Sequence, residues 1–222
     1  NSSGQTNQSS YSVAIGDSAG ARYQATRSVA IGTYGGYSSQ GQSSVAIGNS
    51  AGQANQGTES IAIGDSAGQT NQGLNSVAIG FGASQNSQGG QCVSIGSASG
   101  ELFQGDSAVA IGSYAGEFTQ GTNAVALGIQ AGQSNQGSAS VAIGQQAGLY
   151  SQGNSSIAIG PSAGQITQQG YAIAIGNSAG NEMQGDFAVA IGYGAGYYSQ
   201  PANSIVINAT GVSLSGGTAN AF

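Results

Sequence analysis

The pentapeptide Ser12-Val13-Ala14-Ile15-Gly16 returns at Ser28, at Ser44 and at every sixteenth residue thereafter up to Ser204. No insertion or deletion breaks the thirteen copies. A fixed period of this length constrains the fold more than any composition figure. Each repeat is one supersecondary unit, too small to fold alone, and it is stable only against its neighbours. The chain is therefore expected to be a single solenoid. Positions below are numbered 1–16 from the first residue of each pentapeptide.

Position 2 is Val or Ile in every copy, and position 4 is Ile in all but one, where it is Leu127. Positions 1 and 3 are small, mostly Ser and Ala. Period-two alternation over β-branched residues marks a strand with two unlike faces. Val13, Ile15, Val45, Ile47, Val77, Ile79, Val109, Ile111, Val141, Ile143, Ile173 and Ile175 are read as interior ladders. The Ser and Ala face is read as the smooth side on which another sheet or chain packs. Gly recurs at position 5, Ala-Gly at 8–9 and Gln-Gly at 13–14. Glycine at fixed places marks corners needing positive φ or close backbone approach. Gln24, Gln40, Gln56, Gln72, Gln88, Gln104, Gln120, Gln136, Gln152, Gln168, Gln184 and Gln200, all at position 13, are read as a structural amide ladder facing inward or along a flank. A ligand-binding role for them is the alternative.

Residues 1–11 fit a partial first coil whose array continues upstream in a precursor. Residues 12–203 are regular repeats, and 204–222 a degenerate last coil with a C-terminal cap or transition segment. There Ser204-Ile205-Val206-Ile207-Asn208 replaces Ala with Val and Gly with Asn, and the Ala-Gly and Gln-Gly corners are lost.

Charge excludes some partners. Arg22 and Arg27 are the only basic side chains, there is no His, and the net charge is −6. Nucleic-acid binding needs clustered cations and is not expected, nor is attraction to anionic membranes. No apolar run nears the roughly 18 residues of a membrane helix, so no membrane insertion is expected. With neither His nor Lys, and with scattered carboxylates, no catalytic, metal or cofactor site is expected, and the chain is read as no enzyme. Bound calcium is not expected either, because no Asp recurs at a fixed position often enough. A polar surface of Gln, Ser, Asn and Thr points to an extracellular or virion-surface protein.

Cys92 takes position 1. One reading is a small buried side chain. The other follows from a trimer whose small face points to the three-fold axis, where three copies of Cys92 would meet. Tyr193, Tyr197 and Tyr198 form the densest aromatic group. With Tyr114 and Phe118 they are candidate surface contacts for a host glycan or receptor, since tyrosine offers an apolar face and a wet hydroxyl. Shielding of the solenoid end is the other reading of that group. Glycosylation sequons begin at Asn1, Asn7, Asn154 and Asn208.

The Ser-Val-Ala-Ile-Gly pentapeptide with Ala at position 8 resembles the YadA-like head repeat of trimeric autotransporter adhesins. That resemblance implies a left-handed parallel β-roll and three chains around an axis. The joint recurrence of Ala-Ile-Gly, Ala-Gly and Gln-Gly is similar also to the repeat regions of tail-fibre-like proteins of large DNA viruses and phages. Residues Asn203 to Gly211 look like the segment before their self-cleaving chaperone domain, a resemblance that implies a maturation boundary near Phe222. The combined expectation is an all-β, single parallel β-solenoid of about thirteen 16-residue coils, left-handed and homotrimeric, serving as a stiff, protease-resistant fibre or adhesin segment. Its variable outward residues would serve attachment. The alternatives are a monomeric solenoid that binds a periodic surface such as ice or polysaccharide, and a filament assembled end to end.

Overall fold

In the computed structural model of the chain, which describes residues 2–215, two compact units are distinguished, Asn1–Ile111 and Gly112–Phe222. Each is a parallel β-solenoid, and together they hold about thirteen turns. The described residues contain no helix. The expectations placed on Asn1 and on Phe222 lie outside the described residues.

Every regular turn supplies two short strands. In the first unit the pentapeptide strands, from Val13–Ile15 to Val109–Ile111, form one parallel sheet, and the strands ending in Gln, from Thr6–Gln8 to Leu102–Gln104, form a second. The second unit repeats this, with pentapeptide strands from Val125–Leu127 to Ile205–Asn208 and Gln strands from Phe118–Gln120 to Glu182–Gln184. Each residue pairs with its equivalent sixteen residues on, as Val29 with Val45, Ala30 with Ala46 and Ile31 with Ile47. Like therefore stacks on like along both sheets. The Val29 N–H donates to Ser44 O at 2.9 Å, and the Gly32 N–H donates back to Ile15 O at 2.8 Å. Each turn is thus hydrogen-bonded to the turn before it and the turn after it.

The corners demand particular backbones. Gly64, at position 5, has φ +130°, and a Cβ there would lie 2.5 Å from Gly80 O of the next turn. Only glycine allows that stacking distance. Positions 7, 12 and 16 take the left-handed conformation even with side chains, as Ser18, Tyr23 and Arg27 do at φ 56°, 57° and 60°. At position 12 this breaks the alternation of the Gln strand. Positions 11 and 12 both reach the surface while position 13 turns inside, as Arg22, Tyr23 and Gln24 show.

The interior differs from the sequence expectation. Ala30, Ala46, Ala62 and Ala78 at position 3 are fully buried, as are Ala51, Ala67 and Ala83 at position 8 and Ser28, Ser44 and Ser60 at position 1. The expected interior residues Val13, Ile15, Val45, Ile47, Val77, Ile79, Val109, Ile111, Val141, Ile143, Ile173 and Ile175 instead stand on the outer face, half-buried or exposed. Alternation in the strand is as expected, but its inner and outer faces are exchanged. Space explains this. A Cβ on Gly52, at position 9, would already lie 3.2 Å from the Ala46 Cβ across the coil and 2.8 Å from the Gln56 side chain. Once the long Gln side chain enters the coil, the facing strand holds only small side chains at position 3, Ala in the regular turns and Ser94, whose hydroxyl donates to Gln104 Oε1 at 2.8 Å. Packing at interior density leaves no slack for Val or Ile there.

The last described turn closes differently. Asn208 replaces the corner Gly. Its Nδ2 donates to Tyr193 O and Val212 O, both at 2.5 Å, and its Oδ1 accepts from Thr210 N at 2.9 Å and Thr210 Oγ1 at 2.7 Å. The Leu214 N–H then donates to Gly194 O at 2.8 Å, and its carbonyl accepts from Tyr197 N at 2.9 Å.

This inversion has a measurable consequence in chemical unfolding. Ala62→Leu is expected to destabilise the fold by about 1–3 kcal/mol through overpacking. Ile63→Leu on the next residue, a change of shape on the outer face, is expected to cost less. The opposite order would contradict an Ala-sized interior.

Candidate interaction surface

The twelve position-13 glutamines, Gln24 to Gln200, line the coil interior and are at most 4% exposed. The Gln24 Nε2 crosses the coil to donate to Val13 O at 2.7 Å, and also to Ser28 O at 3.4 Å. Gln72 bonds Ile61 O and Ser76 O in the same way, at 2.7 and 3.4 Å. Each amide thereby ties the Gln strand to the pentapeptide strand of its own turn. Some amides also link to one another, Gln88 to Gln104 at 3.1 Å in the first unit and a longer run in the second. Gln152 donates to Gln168 at 3.2 Å, Gln168 to Gln184 at 3.0 Å and Gln184 to Gln200 at 3.1 Å. Burial this deep leaves no face of these amides open to a ligand.

Cys92 is fully buried. Its Sγ lies 3.0 Å from Gly105 O and 3.4 Å from Gly90 O, in the slot where Ser44 Oγ donates to Gly41 O at 2.7 Å. Burial raises its thiol above the usual range. The expectation that position 1 could bring three copies of Cys92 to a trimer axis is corrected, because this face looks into the chain's own coil. The Ser and Ala face is likewise interior and not the smooth outer side expected.

What each unit offers a partner is the pentapeptide sheet itself. Every turn places one Val or Ile at position 2 and one Ile or Leu at position 4 on its outer surface, stacked in exact register with those above and below. Ile95, Ile111, Ile175 and Ile191 are 37–39% exposed. A contiguous aliphatic sheet face of this kind is unusual on a lone soluble chain and marks a contact surface. Parallel sheets are ordinarily covered on both faces.

The proposed aromatic contacts fall into two places. Tyr197 and Tyr198 meet edge to face with ring centroids 4.4 Å apart. Glu182 lies beside them, its N–H donating to Tyr197 O at 2.9 Å, and desolvation, then Tyr198, Glu182 and Tyr193, hold the Tyr197 hydroxyl above the usual phenol range. Tyr193 and Tyr198 are exposed, and Tyr197 is half-buried. Tyr114 and Phe118 are exposed too, but sit five repeats away from this cluster in sequence. Sequence reasoning missed a third group. Tyr171 and Phe187 stack in parallel at 5.0 Å, both exposed. Their spacing of one repeat at position 16 was the available signal.

Other candidates are closed or slight. Asn208 is 4% exposed with both ends of its amide bonded, so its sequon is inaccessible. The Asn154 Oδ1 accepts from Ser138 N at 2.8 Å, while Asn7 is exposed. Gly90 opens a surface notch of about 350 Å³ beside Leu74, Gln91 and Asp106. Among the described residues no cluster of three His, Cys, Asp or Glu side chains is placed to hold a metal ion, and no helix is long and apolar enough to cross a membrane.

Comparison with known proteins gives one match. Residues 9–34 fit the family model of the YadA head domain repeat, in two copies. No curated protein and no solved structure matches the chain significantly.

Because each Gln amide fastens one turn across its interior, Gln72→Leu is expected to destabilise the fold by about 1–3 kcal/mol, leaving Ile61 O without its buried donor. Gln69→Leu, on a half-buried flank, serves as the comparison and is expected to change thermal stability far less.

Proposed function

We propose that this chain is a segment of a homotrimeric surface fibre of the adhesin type, assembled through the Val and Ile faces of its pentapeptide sheets. One observation carries this reading: the largest aliphatic side chains of every turn lie outside the coil, in unbroken register, while Ala, Ser and Gln fill the inside. Covering that face removes apolar area from water at about 25 cal/mol per Å². A ladder of identical residues meets a second copy with matching spacing at every turn, so another chain of the same sequence is the natural occupant. The match of residues 9–34 to the YadA head domain repeat supports the same reading. Such repeats are typically trimeric and surface-exposed, which supports three copies, a left-handed coil and an extracellular or virion-surface setting. The likeness to tail-fibre-like proteins of large DNA viruses and phages adds the virion surface as a specific setting.

The role is mechanical and display-based, and not enzymatic. Backbone ladders within each unit resist local opening and proteolysis. With only two basic residues the chain presents almost no site to a trypsin-like protease. Positions 11, 12 and 16 stay outside and vary freely, and these carry contact with the attachment surface.

Sedimentation equilibrium and native mass spectrometry test the assembly. The soluble protein is expected to run as a trimer, and Val77→Asp combined with Ile79→Asp is expected to shift it toward monomer while β-sheet circular dichroism persists. A wild-type chain that is monomeric at all accessible concentrations would overturn the proposal.

A further inference from the structure

The charge of this protein is unevenly placed. Residues 1–58 hold Arg22, Arg27 and a single carboxylate, Asp17, and carry a net +1. The remainder holds seven carboxylates and no basic side chain, for a net −7. Every side-chain cation of the protein thus falls within one turn. In a chain whose surface otherwise repels anions, this turn is the one place where a negatively charged ligand is favoured.

Arg22 is held against an aromatic pair of the next turn. Its guanidinium lies over the Tyr37 ring, 5.3 Å from the centroid. Tyr37 is half-buried and is held edge-on by Tyr34, with centroids 5.6 Å apart and planes at 75°. The Arg22 N–H donates to Tyr37 O at 2.9 Å, so backbone and side chain are both fixed to the next turn. Stacking on an aromatic ring orders a guanidinium while leaving its in-plane N–H donors free, and those donors match a carboxylate or sulfate in bidentate fashion. The adjoining Tyr23 is left-handed at φ 57° and 60% exposed, so it stands on the same outer surface as Arg22 and does not point into the coil. A shallow cavity of about 210 Å³ opens beside it, lined by Asn7, Ser9, Tyr23, Gln24 and Ala25. It offers an aromatic wall and polar side chains at a size suited to one sugar ring.

The geometry points to an anionic-saccharide site on this turn. Arg22 receives the carboxylate or sulfate, Tyr23 packs against the sugar ring in the adjoining cavity, and Tyr37 with Tyr34 holds the guanidinium in place. The site lies on the Gln strand Arg22–Gln24, so it stays open when the pentapeptide face is covered by other copies. It gives the attachment role proposed above a ligand class, and rests on that reading for its biological sense though not for its chemistry.

Calorimetry on the full chain tests it with two anionic probes, a heparin-derived sulfated hexasaccharide and sialyllactose, and with lactose as the neutral control. Binding of either anionic probe, weakened by high salt and absent for lactose, is expected. Which probe binds separates a sulfated from a carboxylated source. Arg22→Gln is expected to reduce affinity about tenfold or more, Tyr23→Ala to reduce it similarly, and Arg27→Gln, at position 16, to leave it nearly unchanged. All three residues are exposed, and circular dichroism with sedimentation confirms that fold and assembly are kept. Equal loss from both arginine variants, binding of lactose as strong as that of the anions, or no binding of either anionic probe overturns the site. A trimer that binds neither probe sinks the site and leaves the fibre reading intact. A monomer that binds through Arg22 does the reverse.

Discussion

One steric contact governs the rest of the architecture. At position 9 of most turns a glycine faces position 3 so closely that an added Cβ on Gly52 would come within 3.2 Å of the Ala46 methyl; Ser84 at position 9 and Ser94 at position 3 are the small, fully buried departures. The glutamine four residues on then fills the remaining space and bonds the opposite strand, as Gln56 does to Val45 O at 2.8 Å. A coil this thin excludes Val and Ile from its interior. Burial of methyl groups gives each turn little hydrophobic stabilisation, so cohesion depends on the backbone ladders and on the amides that cross the interior. The larger side chains then face outward, as Val45 and Ile47 do.

Much of this was legible in the residues. The fixed period, the strand at positions 2–4, the glycine corners and the glutamine ladder all follow from spacing and residue type. Which face of the strand turned inward did not. Alternation shows that two faces differ and says nothing about which is enclosed, and the habit of placing aliphatics inside assumes a coil wide enough to hold them. The clue was present in the second strand. A glutamine recurring at position 13 beside small residues at 1, 3, 8 and 9 implies an interior already occupied by an amide, with alanine as its complement. The same inversion moves Cys92 from an imagined three-fold axis into the chain's own coil, where it takes the place of serine.

The candidate contacts were less legible because they depend on the left-handed residues. Tyr23 and Arg22 share a surface only because φ is positive at position 12, which no strand pattern signals. The aromatic pairing of Tyr171 with Phe187 arises because equal positions stack, so a spacing of one repeat becomes contact in space. In a register-locked solenoid, sequence separation by the period is the best guide to neighbours, better than any local motif. That logic divides the surface into a uniform aliphatic face and irregular flanks.

The direction of the pentapeptide faces is tested most directly by oxidative cross-linking of two single-cysteine variants in a Cys92→Ser background. The result expected is that Ile47→Cys forms disulfide-linked species between chains, while Ala46→Cys, enclosed in its own coil, forms none and reacts with thiol reagents only on unfolding. Inter-chain linkage through residue 46, with residue 47 protected and unlinked, would contradict the inverted interior and the assembly built on it.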